Sequence, residues 1–418
     1  MDKVVLKKII IENREFIQNL ELTTRHQNID IAANYIFCGI RRCGKSFMQF
    51  QRMKQIMKQS SELEFIYINF EDERFIEFNY LDFDLILECA FELYKKKTAL
   101  FFDEIQNIEN WEKFARRLAD TGYLVYISGS NAKMLSKEMA TTLGGRYLIE
   151  EVYPLSFIEY LSFKSIKPEI NFEYSNQRFE IKKQFDTYFY QGGFPELLKY
   201  QNSREYLSSV YMKVFYGDLM ARNHLQNEQI LKLLIKKLAE SVNNETSINR
   251  IKNLIISTGL KVGNNTITDY LIHLFDSYLI FPLNNYASNF TERETKKKYY
   301  FVDQGILNLF ITDQNTKLLE NIVFIHLYIQ FKDKLFYYKR KMEIDFYIPE
   351  QNQLIQVCYS LSNIETKQRE IAALQWAMNE LNITKATIIT YDEEEIIKLS
   401  EAMLTIELVP IWKWLLTT

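Results

Sequence analysis

Cysteine, histidine, proline and glycine are all scarce in this sequence of 418 residues, with 4, 4, 6 and 12 copies. Cys38, Cys43, Cys89 and Cys358 show no C-x-x-C spacing, and four histidines cannot complete them, so neither a zinc site nor a disulfide framework is expected. So few breakers exclude long linkers and predict long regular elements. An excess of charge is missing too. A net of -3 removes any global electrostatic argument for nucleic acid and leaves only local basic patches. No apolar run approaches membrane-spanning length, and the N-terminal Met1-Asp2-Lys3-Val4-Val5-Leu6-Lys7-Lys8 has charges where a signal peptide needs a continuous apolar stretch. The expectation is a cytoplasmic protein without a membrane partner.

What the chain does have is apolar mass. Hydrophobic residues make up 47% and charged residues 25%, and 30 Phe with 27 Tyr supply bulk for buried cores across two to four domains.

Gly39-Ile40-Arg41-Arg42-Cys43-Gly44-Lys45-Ser46 fits G-x-x-x-x-G-K-[ST] at every fixed position. The run Tyr35-Ile36-Phe37-Cys38 before it reads as a buried strand. After it, Phe47, Phe50, Met53 and Met57 recur at helical spacing and predict one apolar face. A loop between strand and helix aims backbone N–H groups at phosphate and adds the positive end of the helix. The predicted nucleotide cradle is therefore Gly39, Arg41, Arg42, Cys43, Gly44, Lys45, Ser46 and Phe47. Lys45 reaches the β/γ oxygens and Ser46 ligates Mg²⁺. Cys43 in this loop would block binding if oxidised; a buried neutral thiol is the plainer reading.

Thr98-Ala99-Leu100-Phe101-Phe102-Asp103-Glu104 is an apolar strand ending in two carboxylates, the Walker B form of nucleotide hydrolases. Asp103 is predicted to hold the metal shell and Glu104 to polarise the attacking water, since phosphoryl transfer depends on positioning and charge neutralisation. Two further segments, 64–70 and 123–129, read as strands with helical patterns between, which predicts a parallel three-layer α/β sheet with ligands at the carboxyl strand ends. The second runs into Ser130-Asn131, which would serve as a water-orienting sensor or as an ordinary helix cap. Gly144-Gly145-Arg146 follows. Arg146 fits an arginine finger, with Arg41 and Arg42 as rivals that would otherwise pair with acidic neighbours or nucleic acid.

Taken together, GIRRCGKS, FFDEIQ, YISGSN, LGGRY and GGFPE at Gly192-Gly193-Phe194-Pro195-Glu196 resemble a large prokaryotic family of AAA-type P-loop ATPases with an uncharacterised C-terminal region. The likeness covers nearly the whole chain and is strongest over residues 30 to 225. It implies ATP with Mg²⁺ as the bound nucleotide, Lys45, Ser46, Asp103 and Glu104 as carriers of the chemistry, Asn131 as sensor and Arg146 as finger. Whether Arg146 completes its own site or a neighbour's decides whether a homo-oligomer is needed.

The expected organisation is an AAA-type P-loop ATPase domain (1–160), a helical lid or connector (161–225), a winged-helix-like domain (226–295) and a degenerate restriction-endonuclease-like α/β domain (296–418). In the lid, Asp218 and Arg222 lie four apart, the spacing of a helical ion pair or of a nucleotide-sensing contact. The winged-helix pattern suggests DNA, yet Val262 through Pro282 contains two Asp and no Lys or Arg, whereas a groove-reading helix presents cations. A protein partner is an equal expectation. Lys236, Lys237, Arg250, Lys252 and Lys261 would form a flanking phosphate-binding face or a solvated helix surface. In the last domain Glu320, Asp345 and the strand after it resemble a nuclease core, but the positions of E-x-K hold Gln356 and Cys358, which bring neither the second carboxylate nor the cation. Nuclease activity is predicted absent. The functional readings are an ATPase acting on DNA or on a protein complex, a nucleotide-gated switch with negligible turnover, and, least favoured, an ATP-regulated nuclease.

Overall fold

The computed structural model describes residues 1–25, 29–30, 32–59, 63–130, 141–312, 315–399 and 404–417. Packing divides the chain into two compact units, Met1–Tyr153 with Asp276–Tyr278, and Pro154–Phe275 with Leu279–Thr418.

The first unit opens with helix α1 (Lys3–Asn19), whose N-terminal N–H groups at Val4 and Val5 donate to the Asp2 carboxylate. Strands β1 (Asn34–Cys38), β2 (Leu63–Asn69), β3 (Lys97–Asp103), β4 (Val125–Gly129) and β5 (Tyr147–Glu151) form one parallel sheet in the order β2-β3-β4-β1-β5. The first four match the strand-like runs of the sequence. The fifth, Tyr147-Leu148-Ile149-Glu150-Glu151, is not among the runs read as strands, and its Leu148 and Ile149 are exposed. Helices α2 (Lys45–Gln59), α3 (Phe83–Tyr94) and α4 (Trp111–Asp120) connect them.

In α2 the expected face is only half right. Phe50 and Met53 are buried, but Phe47 and Met57 are 41% and 38% exposed. The buried stripe runs instead through Lys45, Met48, Gln49, Arg52, Met53 and Ile56, because the polar Gln49 and Arg52 find partners inside: Gln49 donates to the Phe102 carbonyl and Arg52 to the Tyr126 hydroxyl.

In the second unit, helices Phe157–Phe163, Gln177–Gln191 and Ser203–Lys213 lead into a π-helical stretch, Val214–Ala221. Asp218 and Arg222 form the ion pair that their spacing suggested, at 2.9 Å. The GGFPE turn is held by shape: Gly192 has φ +86°, a Cβ there would strike the Asp303 carboxylate, and the Gly193 N–H donates to that carboxylate at 2.7 Å.

Helices Glu228–Glu240, Ile248–Ile256 and Asn264–Asp276 accompany the short strand β6 (Thr246–Ser247) and strands β7 (Ile280–Leu283) and β8 (Lys296–Phe301), paired antiparallel in the order β6-β8-β7. This is the winged-helix pattern. Its closing strand begins at Lys296, so a boundary placed between 295 and 296 cuts the three-stranded sheet; Lys298, Tyr300 and Phe301 are buried within that strand.

The remaining chain builds a six-stranded sheet in the order β13-β14-β12-β11-β10-β9, from β9 (Phe336–Lys339), β10 (Glu343–Ile348), β11 (Gln353–Val357), β12 (Lys385–Thr390), β13 (Glu395–Leu399) and β14 (Leu404–Pro410). Strands β11, β12 and β14 run parallel and the outer pairs antiparallel. Helices Asn315–Phe331 and Ile364–Leu381 pack on it. No helix among the described residues is long and apolar enough to cross a membrane.

Candidate functional site

The sheet order explains the site. Because β4 lies between β1 and β3, the carboxyl ends of three adjacent strands deliver the phosphate-loop motif, the Ser128–Ser130 corner and the acidic pair to one edge.

The loop after β1 is bent by three residues of positive φ, Gly39 (+154°), Arg42 (+65°) and Gly44 (+106°). A Cβ on Gly39 would run into the Val152 carbonyl, so β5 packs against the loop at a distance only glycine allows. The buried Arg25 guanidinium donates to the Cys43 carbonyl at 2.9 Å and to the Tyr153 carbonyl at 3.1 Å, bracing the loop from behind. Nothing in the spacing of the motif singled out Arg25. Lys45 is buried and turned back on the loop, donating to the carbonyls of Gly39 and Ile40 at 3.0 Å each. Ser46 is half-buried in the first turn of α2. The Cys43 thiol is fully buried, and burial pushes its pKa up, which makes it the neutral, unreactive thiol of the plainer reading. Arg41 pairs with Glu71, Arg42 is exposed, and the partly exposed Phe47 ring lies edge-on to Phe50.

Asp103 is buried at the end of β3 with both oxygens engaged: the Ser128 hydroxyl donates to Oδ1, and the Tyr67 hydroxyl donates to Oδ2 at 2.7 Å. Glu104 follows in left-handed conformation, φ +51°, a strained position for a non-glycine residue. That twist turns its carboxylate toward the Gln106 amide and the Ser130 hydroxyl, which donate to the same oxygen. Burial pushes Glu104 above the ordinary carboxylate range; Lys45 opposes the shift and Asp103 adds to it. Tyr67, Ser128 and Gln106 are partners that sequence reasoning did not assign. The hydroxyl of Ser46 and the carboxylate of Asp103 are hard oxygen donors, a set that suits Mg²⁺.

Asn131 lies outside the described residues. Arg146 stands beside Asn34 at the amino end of β1, since β5 runs parallel to β1 with Tyr147 opposite Asn34. Five residues of strand, roughly 16 Å, separate that edge from Gly39, and the Arg146 guanidinium is paired with Asp120. As a finger within its own chain, Arg146 is at the wrong end of the sheet.

The nuclease-like residues do converge. Glu320 and Asp345 are buried, with Lys298 between them at 3.3 and 3.1 Å. Gln356 accepts from the Asp345 N–H and donates to Glu370 at 2.7 Å; Cys358 sits just past β11, its thiol pushed up to about 11 by burial. Burial and the adjacent Asp345 push Glu320 up to about 7, against the pull of Lys298. Burial alone would lower the Lys298 ammonium; the carboxylates around it raise it instead.

Two family models match parts of this chain. The family model described as "AAA domain" matches residues 33–161, and a domain of unknown function (DUF8612) matches 182–317. Uncharacterized protein MJ1544 of Methanocaldococcus jannaschii is 37% identical, over 99% of this chain and 96% of its own length. An uncharacterized protein of Haemophilus influenzae is 29% identical over 77% of this chain and 80% of its own. Among solved structures, the Walker-type ATPase PABY2304 of Pyrococcus abyssi covers 74% of this chain and 95% of its own at 13% identity and a TM-score of 0.38. The chain belongs to a prokaryotic family of AAA-type P-loop ATPases with an uncharacterised C-terminal region, the family that includes the Methanocaldococcus protein.

Proposed function

We propose that the chain hydrolyses ATP in the loop between β1 and α2 and uses the cycle to act on a protein complex. The observation that carries this reading is Glu104: a buried carboxylate, raised in pKa, turned by its left-handed backbone out of line with the strand that ends in Asp103. A carboxylate raised above its ordinary range is a stronger base toward water, and a positioned general base contributes about 10²–10⁴-fold in rate. Lys45 leaves the Gly39 and Ile40 carbonyls for the phosphate oxygens when nucleotide enters. Tyr67 and Ser128 hold the Asp103 carboxylate in one orientation. Mg²⁺, held by Ser46 and Asp103, would neutralise charge on the phosphates.

A protein target is favoured over DNA by the helix Asn264–Asp276. Its exposed positions are Asn264, Asn265, Asp269, Ile272 and Phe275, which offer no cation to a phosphate backbone and two large apolar groups to a protein surface. The experiment is Mg²⁺-dependent ATP turnover by the purified chain, with and without duplex DNA. Glu104→Gln should keep ATP affinity and lose turnover at least about 100-fold, and Lys45→Ala should lose binding. Full turnover by Glu104→Gln would refute the assignment of the base, and DNA stimulation lost in Lys45→Ala would move the target to nucleic acid.

A second reading, a nucleotide-gated switch with slow turnover, is favoured by the inward bonds of Lys45. Binding must first break them, so occupancy and loop conformation are coupled. It predicts negligible basal turnover with a nucleotide-dependent change in partner affinity.

A further inference from the structure

Strand β8, the helix Asn315–Phe331 and strand β10 meet around one buried cation. The Lys298 Nζ lies 3.3 Å from Glu320 Oε1, 2.9 Å from Glu343 Oε1 and 3.1 Å from Asp345 Oδ1, and Lys298 is 0% exposed. An ammonium has three N–H donors. Three carboxylates from two separate elements take them, and the Tyr337 ring lies 5.5 Å from the nitrogen. Each carboxylate has a further partner: Tyr300 donates to the same Glu320 oxygen, Oε1, at 2.6 Å, the Val357 N–H to Asp345 Oδ2 at 3.0 Å, and Lys339 pairs with the second oxygen of Glu343 at 2.8 Å.

A helix glutamate and a strand aspartate converging on one point is the arrangement by which nuclease-like domains hold a divalent ion. The residues here do not fit one. Magnesium or calcium needs oxygens at about 2.0–2.6 Å and six or more of them, while the convergence point is filled by a side chain that cannot share it. Among the described residues no group of three or more His, Cys, Asp or Glu is arranged to hold a metal ion.

We propose that Lys298 takes the place of a divalent cation in this carboxylate centre. The lysine comes from the three-stranded β6-β8-β7 sheet and its partners from the six-stranded domain, so the internal charge also pins those two modules together. Gln356 and Cys358 are then consequences of a centre that no longer handles a metal: one is spent on Asp345 and Glu370, and the other carries no charge.

The test uses the full, nucleotide-free chain and Mn²⁺ as the probe, with free Mn²⁺ followed by electron paramagnetic resonance and unfolding followed by temperature. Wild type and Asp345→Asn should take up Mn²⁺ equally. Lys298→Met should gain a site at least about tenfold tighter than any in wild type, lose it again in the Lys298→Met/Asp345→Asn double variant, and melt at a higher temperature when Mn²⁺ is added. Uptake by wild type that disappears in Asp345→Asn overturns the proposal, as does a folded Lys298→Met chain that gains no Mn²⁺ site. If Lys298→Met folds only when Mn²⁺ is present, that rescue supports it. If it folds under neither condition, the comparison of wild type with Asp345→Asn decides: equal uptake supports the proposal and Asp345-dependent uptake overturns it.

Discussion

Gly39→Ala tests how tightly the nucleotide loop is built against β5. The new Cβ would overlap the Val152 carbonyl oxygen, and Cys43 Sγ would lie 3.1 Å away on the other side. Relief requires the backbone to retreat by roughly 1.5 Å, given ordinary contact distances of about 3.5 Å. Retreat strains the 2.7 Å bond from the Val152 N–H to the Cys38 carbonyl, the last bond joining β5 to β1. A lost hydrogen bond costs about 0.5–1.5 kcal/mol and a non-glycine residue forced to positive φ about 1–3 kcal/mol, so the expected loss is about 2–4 kcal/mol. Gly145→Ala is the internal control. Gly145 also has positive φ, +69°, but nothing lies within 4 Å of its Cβ, so it bears the φ penalty alone. Thermal unfolding should show Gly39→Ala melting several degrees below Gly145→Ala, since about 1 kcal/mol moves a domain of this size by about 2–4 °C. ATP affinity should fall in Gly39→Ala and stay unchanged in Gly145→Ala. Equal melting temperatures and equal ATP affinities would refute the close-packing argument.

Arg146→Ala should leave turnover of the isolated chain within about twofold of wild type, because the residue lies at the amino edge of the sheet and its exposed pairing with Asp120 is worth under about 1 kcal/mol. A large loss that scales with protein concentration would instead place Arg146 in a neighbouring subunit's site. His326 gives a pH signature. Burial lowers its folded pKa to about 4 from 6.5, so the unfolded chain binds the proton more tightly; the group's contribution is intact above pH 6.5 and is lost as pH falls toward 4. The full shift corresponds to about 3 kcal/mol. His326→Phe, which keeps a ring against Trp414, should flatten this part of the acid-unfolding curve; an unchanged curve would refute the burial argument.

Much of the site was legible because it is local. The elements around Gly39–Ser46 and Asp103-Glu104 are short, and their roles follow from spacing along one strand, one turn and one helix. Tyr67 and Arg25 were not legible, because each reaches the site from another strand or loop and carries no motif of its own; Ser128 lies within YISGSN, but nothing along the chain assigns its hydroxyl to Asp103. Phe47 and Met57 misled for a related reason: helical spacing identifies residues that share a face, but what lies opposite decides which face is buried. Inside the first unit that face had partners for Gln49 and Arg52.

Lys298 marks the limit most sharply. In sequence it is the third member of Lys296-Lys297-Lys298, with Lys296 exposed and Lys297 half-buried, and nothing distinguishes it from them. In β8 it shares a face with Tyr300, and packing brings it to Glu320, Glu343 and Asp345, which are 22, 45 and 47 residues away. Sequence alone determined the phosphate loop, the acidic strand end and the alternation of strands and helices around them, since these depend on neighbours along the chain. Only the tertiary structure decided which end of the sheet Arg146 occupies and which cation the C-terminal carboxylates hold, because both depend on strand order and on charges that meet only when distant segments pack.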